Sequence, residues 1–182
     1  MSSRNSPELI FDLMGFGRDP ATFDPRGVEA HGGASFAGSL EVLADALSLP
    51  LDAVEATGQV ATARHDVDVA AGHLQAGTIG AQRMQVSGMR EGRPLVTFSA
   101  NWYLTNEVEP AWDLRETGWH LLVEGDTPLD VDIRFPVPAD EWAATSPGLT
   151  AHRPVNAIPF VCAAAPGIRS IVDLPQVIAT LS

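Results

Sequence analysis

The strongest constraint on the fold is an alternation of apolar and polar residues on both sides of a glycine-containing turn. Residues 78–89 and 95–105 form the two arms, and Gly92 in the turn can take a positive φ. One side of the second arm is apolar: Val96, Phe98, Ala100, Trp102 and Leu104. The other side is mixed: Leu95, Thr97, Ser99, Asn101 and Tyr103. This pattern predicts a β-hairpin with one core face and one face that meets a ligand or another subunit.

Similar alternation predicts further strands at residues 54–64, 118–124 and 129–135. Helical spacing predicts helices at residues 6–14, from 39 to just before Pro50, and at 150–164 and 173–181. Residues 18–38, rich in Gly, Pro and Asp, are predicted to form a loop or a short broken helix. The expected fold is therefore a single α+β domain over residues 1–182. It has a mostly antiparallel mixed sheet of about four to five strands, with helices packed on one face.

Charge and hydropathy exclude several classes of partner. The net charge of −12 argues against nucleic acid, because binding to phosphates needs a basic face. No apolar run approaches the ~20 residues needed to span a bilayer, so no membrane partner is expected. Residues 1–7 lack the apolar core of a signal peptide, which predicts a cytoplasmic protein.

The chemistry available to the chain is limited. All eleven basic residues are arginine, so lysine Schiff bases and lysine-containing phosphate loops are excluded. The single cysteine, Cys162, lies on an apolar helical face and is predicted to be a buried, inert thiol. The cluster from His65 to His73 matches no metal template and is predicted to be a solvated loop. The sequence therefore assigns no catalytic residue and no metal site.

One pair of residues nevertheless suggests ligand binding. Asn101 and Tyr103 share the mixed face of the predicted hairpin, and an amide beside a phenol can orient a small polar molecule. Packing between elements or between subunits is an alternative role for the phenol. Both residues are taken as candidates for substrate binding.

Several runs together carry a family resemblance: residues 6–17, 101–105, 118–126, 155–159 and 166–168. In this order they resemble the C-terminal domain of the 2,4-diaminopentanoate dehydrogenase and native amine dehydrogenase family, often described as dihydrodipicolinate reductase-like. The similarity spans residues 6 to 178. The chain lacks the paired histidines and the lysine of true dihydrodipicolinate reductases, so that particular activity is not expected.

The resemblance implies a two-domain oxidoreductase in which an N-terminal Rossmann domain binds NAD(P)H. The C-terminal domain would supply much of the substrate pocket and the subunit interface. The resemblance therefore implies a homodimer or tetramer and an amine or ketone substrate. It also implies a separate Rossmann-domain partner if the two halves are not joined. No cofactor is expected to bind this chain alone. The run 155–159 matches the family's helix at the substrate cleft, so the resemblance adds His152 and Asn156 to Asn101 and Tyr103 as pocket candidates.

Two functions stay open at this point. One is the substrate-binding and oligomerisation domain of an NAD(P)H-dependent oxidoreductase acting on C=N or C–N bonds, inactive alone. The alternative is a non-enzymatic small-ligand-binding or structural oligomeric protein that has lost the cofactor domain.

Overall fold

A computed structural model of the chain describes residues 7–115, 118–138 and 141–176. The first described segment contains a π-helical turn, Glu8–Leu13, and a 3₁₀ turn, Pro20–Thr22. Between them the backbone joins the main sheet, because the Gly17 amide donates to the carbonyl of Ile79 and the Ile79 amide donates to the carbonyl of Arg18. This pairing holds the start of the chain against one end of the sheet.

The first α-helix, α1, spans Pro25–Ala46. The carboxylate of Asp24 accepts a hydrogen bond from the Arg26 amide, and Pro25 takes the first helical position, so the sequence Asp-Pro starts the helix. The loop or short broken helix predicted over residues 18–38 is therefore corrected to a continuous helix from residue 25 onward. The glycines within α1 cost helix stability, at ~1 kcal/mol each, but the packing of its apolar side on the sheet offsets that cost.

The main sheet contains four antiparallel strands in the order β5-β4-β1-β6. Their bounds are β1 Ala53–Ala63, β4 Ile79–Arg90, β5 Arg93–Tyr103 and β6 Val108–Glu109. Glu91 and Gly92 join β4 to β5 and both have positive φ, 51° and 73°, as a type I′ hairpin turn requires. The register shifts by one residue between Gly88 and Met89, so a bulge separates this turn from the rest of the hairpin.

Two smaller antiparallel sheets and a second helix complete the described residues. Strands β2 (Val67–Val69) and β3 (Gly72–Leu74) form one hairpin, and β7 (Trp119–Val123) and β8 (Leu129–Ile133) form the other. The second α-helix, α2, spans Trp142–Ala163. The helix predicted at residues 173–181 is absent up to residue 176, and residues 177–182 lie outside the described part.

The core forms where α1 packs on one face of the main sheet. Leu40 and Ala44 of α1 are buried there with Met84 and Val86 of β4, and Phe36 of α1 stacks on Phe98 of β5 at 4.7 Å between ring centres. Gly88 lies beneath α1, since a Cβ at that position would be 2.9 Å from Leu40 Cδ2. The apolar side predicted for the second arm of the hairpin is thus confirmed as the core face.

These elements confirm the predicted fold class, a mixed α+β fold with a mostly antiparallel sheet and α1 on one of its faces. Within the described residues, neither helix is long and apolar enough to cross a membrane.

Candidate functional site

The face of the main sheet opposite α1, here called the polar face, is built from pairs of neutral polar residues. Gln85 of β4 donates to Ser99 of β5 at 3.0 Å, and the hydroxyls of Ser87 and Thr97 lie 3.0 Å apart. Each pair faces directly across the strands, and such pairs stabilise a sheet by about 0.2–1 kcal/mol. On β4 and β5 these rows of the polar face are therefore neutral and satisfied by their own hydrogen bonds, while Glu55 of β1 lies opposite Ser87.

Asn101 belongs to the next row of the polar face, opposite Arg83. The Arg83 Nε donates to the Asn101 Oδ1 at 2.7 Å. The guanidinium carbon of Arg83 lies 4.4 Å from the centre of the Trp112 ring, a cation–π distance. Because the amide and the indole hold one guanidinium from two directions, its plane is fixed at the surface of the sheet.

Tyr103 closes the same end of the polar face. Its hydroxyl donates to the backbone carbonyl of Arg115, and its ring packs with Trp112 and Leu114 over a small buried cluster of Ala61, Ala81 and Val108. The segment 110–115 therefore forms a roof over this end of the polar face, while the rows containing Gln85 and Ser87 stay open.

The roof is also tied to the hairpin of β7 and β8. The Arg115 guanidinium pairs with the carboxylate of Asp132 on β8, and Arg134 donates to the same carboxylate at 3.0 Å. The hydrogen bond from Arg134, assisted by the charge of Arg115, lowers the pKa of Asp132. On the same side of that hairpin, His120 Nε2 lies 2.7 Å from Asp130 Oδ1.

The other two predicted site residues, His152 and Asn156, lie one turn apart on α2 and are exposed. The imidazole of His152 lies beside Gly148, one turn earlier in the helix. Among the described residues, α2 has no extensive packing against the main sheet. The structure therefore brings Asn101 and Tyr103 together, and places His152 and Asn156 in a second, separate group.

The cluster around His73, predicted to be a solvated loop, is instead the hairpin of β2 and β3, in which Asp68 and His73 are exposed and Leu74 is buried. The His73 Nδ1 lies 2.7 Å from Asp68 Oδ1, and this hydrogen bond raises the pKa of the imidazole. Within the described part of the chain, no three His, Cys, Asp or Glu side chains come together as a metal site. Cys162 is exposed on α2, so the buried thiol predicted there is wrong.

Arg83 and Trp112 are the two site residues that the sequence did not reveal. The alternation of β4 places Arg83 on the polar face, and this signal was available. The cross-strand partner of Arg83 could not be predicted, because counting residues back from the turn pairs Arg83 with residue 100 unless the bulge at Gly88 is known. Trp112 lies in an irregular segment, which carries no periodicity to place it.

Comparison with known proteins adds evidence that is independent of this geometry. Residues 10–182 match the family described as the 2,4-diaminopentanoate dehydrogenase C-terminal domain. The chain belongs to this family. The predicted resemblance is thereby confirmed, and the chain is a C-terminal domain of an oxidoreductase-related, amine dehydrogenase-like family.

Two amine dehydrogenases are similar to this member of the family. That of Streptomyces virginiae is 24% identical over 184 residues, which cover 96% of this chain and 50% of the relative. The solved structure of an amine dehydrogenase from Mycobacterium smegmatis has a TM-score of 0.60 at 21% identity, over 96% of this chain and 48% of that one. The chain therefore spans about half the length of each of these two relatives. The likeness to the solved structure shows a shared fold.

Proposed function

We propose that this chain is the substrate-binding and oligomerisation half of an NAD(P)H-dependent oxidoreductase acting on C–N bonds, of the amine dehydrogenase or reductase type. The observation that carries the proposal is the match of residues 10–182 to a C-terminal domain family whose relatives are about twice as long. A polar face with a fixed arginine, an amide and a phenol supports the binding role.

The cofactor belongs in the other half under this proposal. A dinucleotide site needs a strand that leads through a glycine-rich turn into a helix, within a parallel sheet. All strand pairs among the described residues are antiparallel, and residues 134–141, between β8 and α2, contain no glycine. The described residues therefore do not fit NAD(P), and the hydride donor would come from a Rossmann half in the same or a separate chain.

Substrate positioning is the part of the reaction assigned to this chain. Asn101 offers an amide and Tyr103 a ring at the roofed end of the polar face, while His152 and Asn156 offer polar groups on α2. We propose that the two groups line one cleft once the Rossmann half is present, with an amine or ketone between them. Fixed polar groups would then hold the reacting carbon near the nicotinamide and exclude water.

An exposed apolar surface on and just after α2 supports contact with a Rossmann half. Val155, Ile158 and Val161 lie along one side of α2 and are each at least half exposed, and Ile168 just after the helix is fully exposed. Side chains of this kind leave water when a second surface covers them, at ~25 cal/mol per Å². We assign this surface to the Rossmann half, and the rows of Gln85 and Ser87 on the polar face to contact with a second copy of the chain.

The test is to join the N-terminal half of the Streptomyces virginiae amine dehydrogenase to residue 10 of this chain. NADH and NADPH oxidation is then followed with ketones and ammonia, and each half alone serves as the control. Turnover by the fusion and by neither half is the expected result. Micromolar binding of NADH or NADPH to the chain alone, measured by calorimetry, would contradict the proposal. A folded fusion that binds NAD(P)H but turns over no ketone would favour the non-enzymatic alternative.

A further inference from the structure

Arg83 is the only arginine of the described residues that an amide and an indole hold in place. Four other arginines, Arg26, Arg64, Arg115 and Arg134, pair with carboxylates. Arg83 is half-buried on β4, donates from Nε to Asn101 and lies over Trp112. An arginine fixed in this way loses little conformational freedom when it binds a further group.

The edge of the guanidinium formed by Nη1 and Nη2 is still available. The Asn101 contact uses Nε, and no described residue accepts a hydrogen bond from either terminal nitrogen. Two parallel N–H groups in one plane match the two oxygens of a carboxylate. The geometry of Arg83 is therefore that of a bidentate carboxylate receptor.

The strands beside Arg83 place no carboxylate next to its charge. The residues opposite it are Gln59 on β1 and Asn101 on β5, both neutral. On the strands of the polar face the nearest carboxylate is Glu55, opposite Ser87. It lies four residues along β1 from Gln59, a distance of about 13 Å at the rise of a strand. Among the described residues, no carboxylate forms an ion pair with this half-buried cation.

We propose that Arg83, aligned by Asn101 and Trp112, binds a carboxylate at the roofed end of the polar face. The carboxylate has two possible sources, a small-molecule substrate that carries it together with an amine or carbonyl group, or an acidic side chain of a second copy of this chain. The inference rests on the proposed function, since that function supplies both the ligand and the second copy.

The experiment follows the arginine Nε–H resonances of the ¹⁵N-labelled chain during titration with pentanoate, with pentylamine as the matched probe lacking a carboxylate. The Arg83 signal is identified by its absence from Arg83→Gln. Arg90→Gln is the control variant, because Arg90 is an exposed residue at the other end of β4. Sedimentation of the same three proteins gives the dissociation constant of any dimer.

If the carboxylate comes from a small molecule, pentanoate shifts the Arg83 resonance saturably while pentylamine does not. The affinity for pentanoate, followed in all three proteins by the indole N–H resonance of the neighbouring Trp112, then falls at least tenfold in Arg83→Gln and is unchanged in Arg90→Gln. If the carboxylate comes from a second copy, Arg83→Gln instead raises the dimer dissociation constant at least tenfold relative to Arg90→Gln. The response of the wild-type protein to pentanoate and pentylamine tests the proposal even if a variant fails to fold.

The proposal is overturned if pentanoate leaves the Arg83 resonance unmoved and Arg83→Gln matches Arg90→Gln in its dimer dissociation constant. That failure is separable from failure of the proposed function. Shifts elsewhere on the protein with pentylamine report on amine binding, whereas the response to pentanoate at Arg83 reports on the carboxylate site alone.

Discussion

Substitution of Gly88 by alanine tests how closely α1 packs on the main sheet. The new Cβ would lie 2.6 Å from Leu51 Cδ1 and 2.9 Å from Leu40 Cδ2. Ordinary contacts between carbon atoms are about 3.5–4.0 Å, so both leucines must move by roughly 1 Å. Leu40 is only 4% exposed and has little room to do so.

The expected change follows from two opposing effects. Overfilling a packed core costs about 1–3 kcal/mol, whereas replacing glycine restricts the unfolded chain and returns about 0.4–1 kcal/mol. We expect Gly88→Ala to lower the free energy of unfolding by about 1–2 kcal/mol. The same change at Gly38, an exposed position of α1 where a Cβ would contact nothing within 4 Å, is expected to raise it by about 0.5–1 kcal/mol.

The assay is urea unfolding followed by far-UV circular dichroism for the wild type and both alanine variants. A third comparison places Gly88→Ala in a Leu51→Ala background, where one of the two clashes is gone and the cost of the added methyl group is expected to fall. If both glycine variants stabilise the protein equally, α1 does not approach β4 as described, and the argument fails.

Three further predictions concern single groups. Tyr103→Phe removes the hydrogen bond to the Arg115 carbonyl and is expected to lower the free energy of unfolding in urea by about 0.5–1.5 kcal/mol. An unchanged free energy of unfolding would show that this hydrogen bond does not hold the roof. Asp68 raises the pKa of His73, so an NMR titration should give a lower pKa in Asp68→Asn. Any stability from this pair is present below the unfolded pKa of histidine and disappears as pH rises through the folded one, and the opposite trend would contradict the assignment. Exposed Cys162 should react with a thiol reagent as fast in the native as in the unfolded protein, and strong protection would refute its exposure.

Strands with clear alternation could be predicted closely from the sequence. The strand predicted at residues 54–64 is observed as Ala53–Ala63, and the hairpin of β7 and β8 also lies where alternation placed it. In β1 the period of two corresponds to one packed and one exposed face, whereas both faces of β7 are exposed. Position on a face could thus be read for Asn101 and Tyr103, and their role as site residues stays a prediction.

Helix α1 and the pairing of Arg83 could not be predicted in the same way. Gly27, Gly33 and Gly38 made the first half of α1 look like a loop, because propensity carries no information about packing on a sheet. The partner of Arg83 depends on the bulge at Gly88, where Pro94 of the facing strand lacks an amide hydrogen. One extra residue in a strand changes which side chains lie opposite each other, and no local sequence pattern predicts it.

The three prolines inside α2 have a consequence for how the protein matures. Pro147, Pro154 and Pro159 each remove a backbone donor and cost about 3 kcal/mol relative to alanine in a helix interior. A helix with this penalty and with Val155 and Ile158 in water gains little from being ordered on its own. We expect α2 to exchange its amide hydrogens first and to be the segment that proteases cleave in a chain without its partner. Under the proposed function, protection of α2 from proteases would then report contact with the Rossmann half.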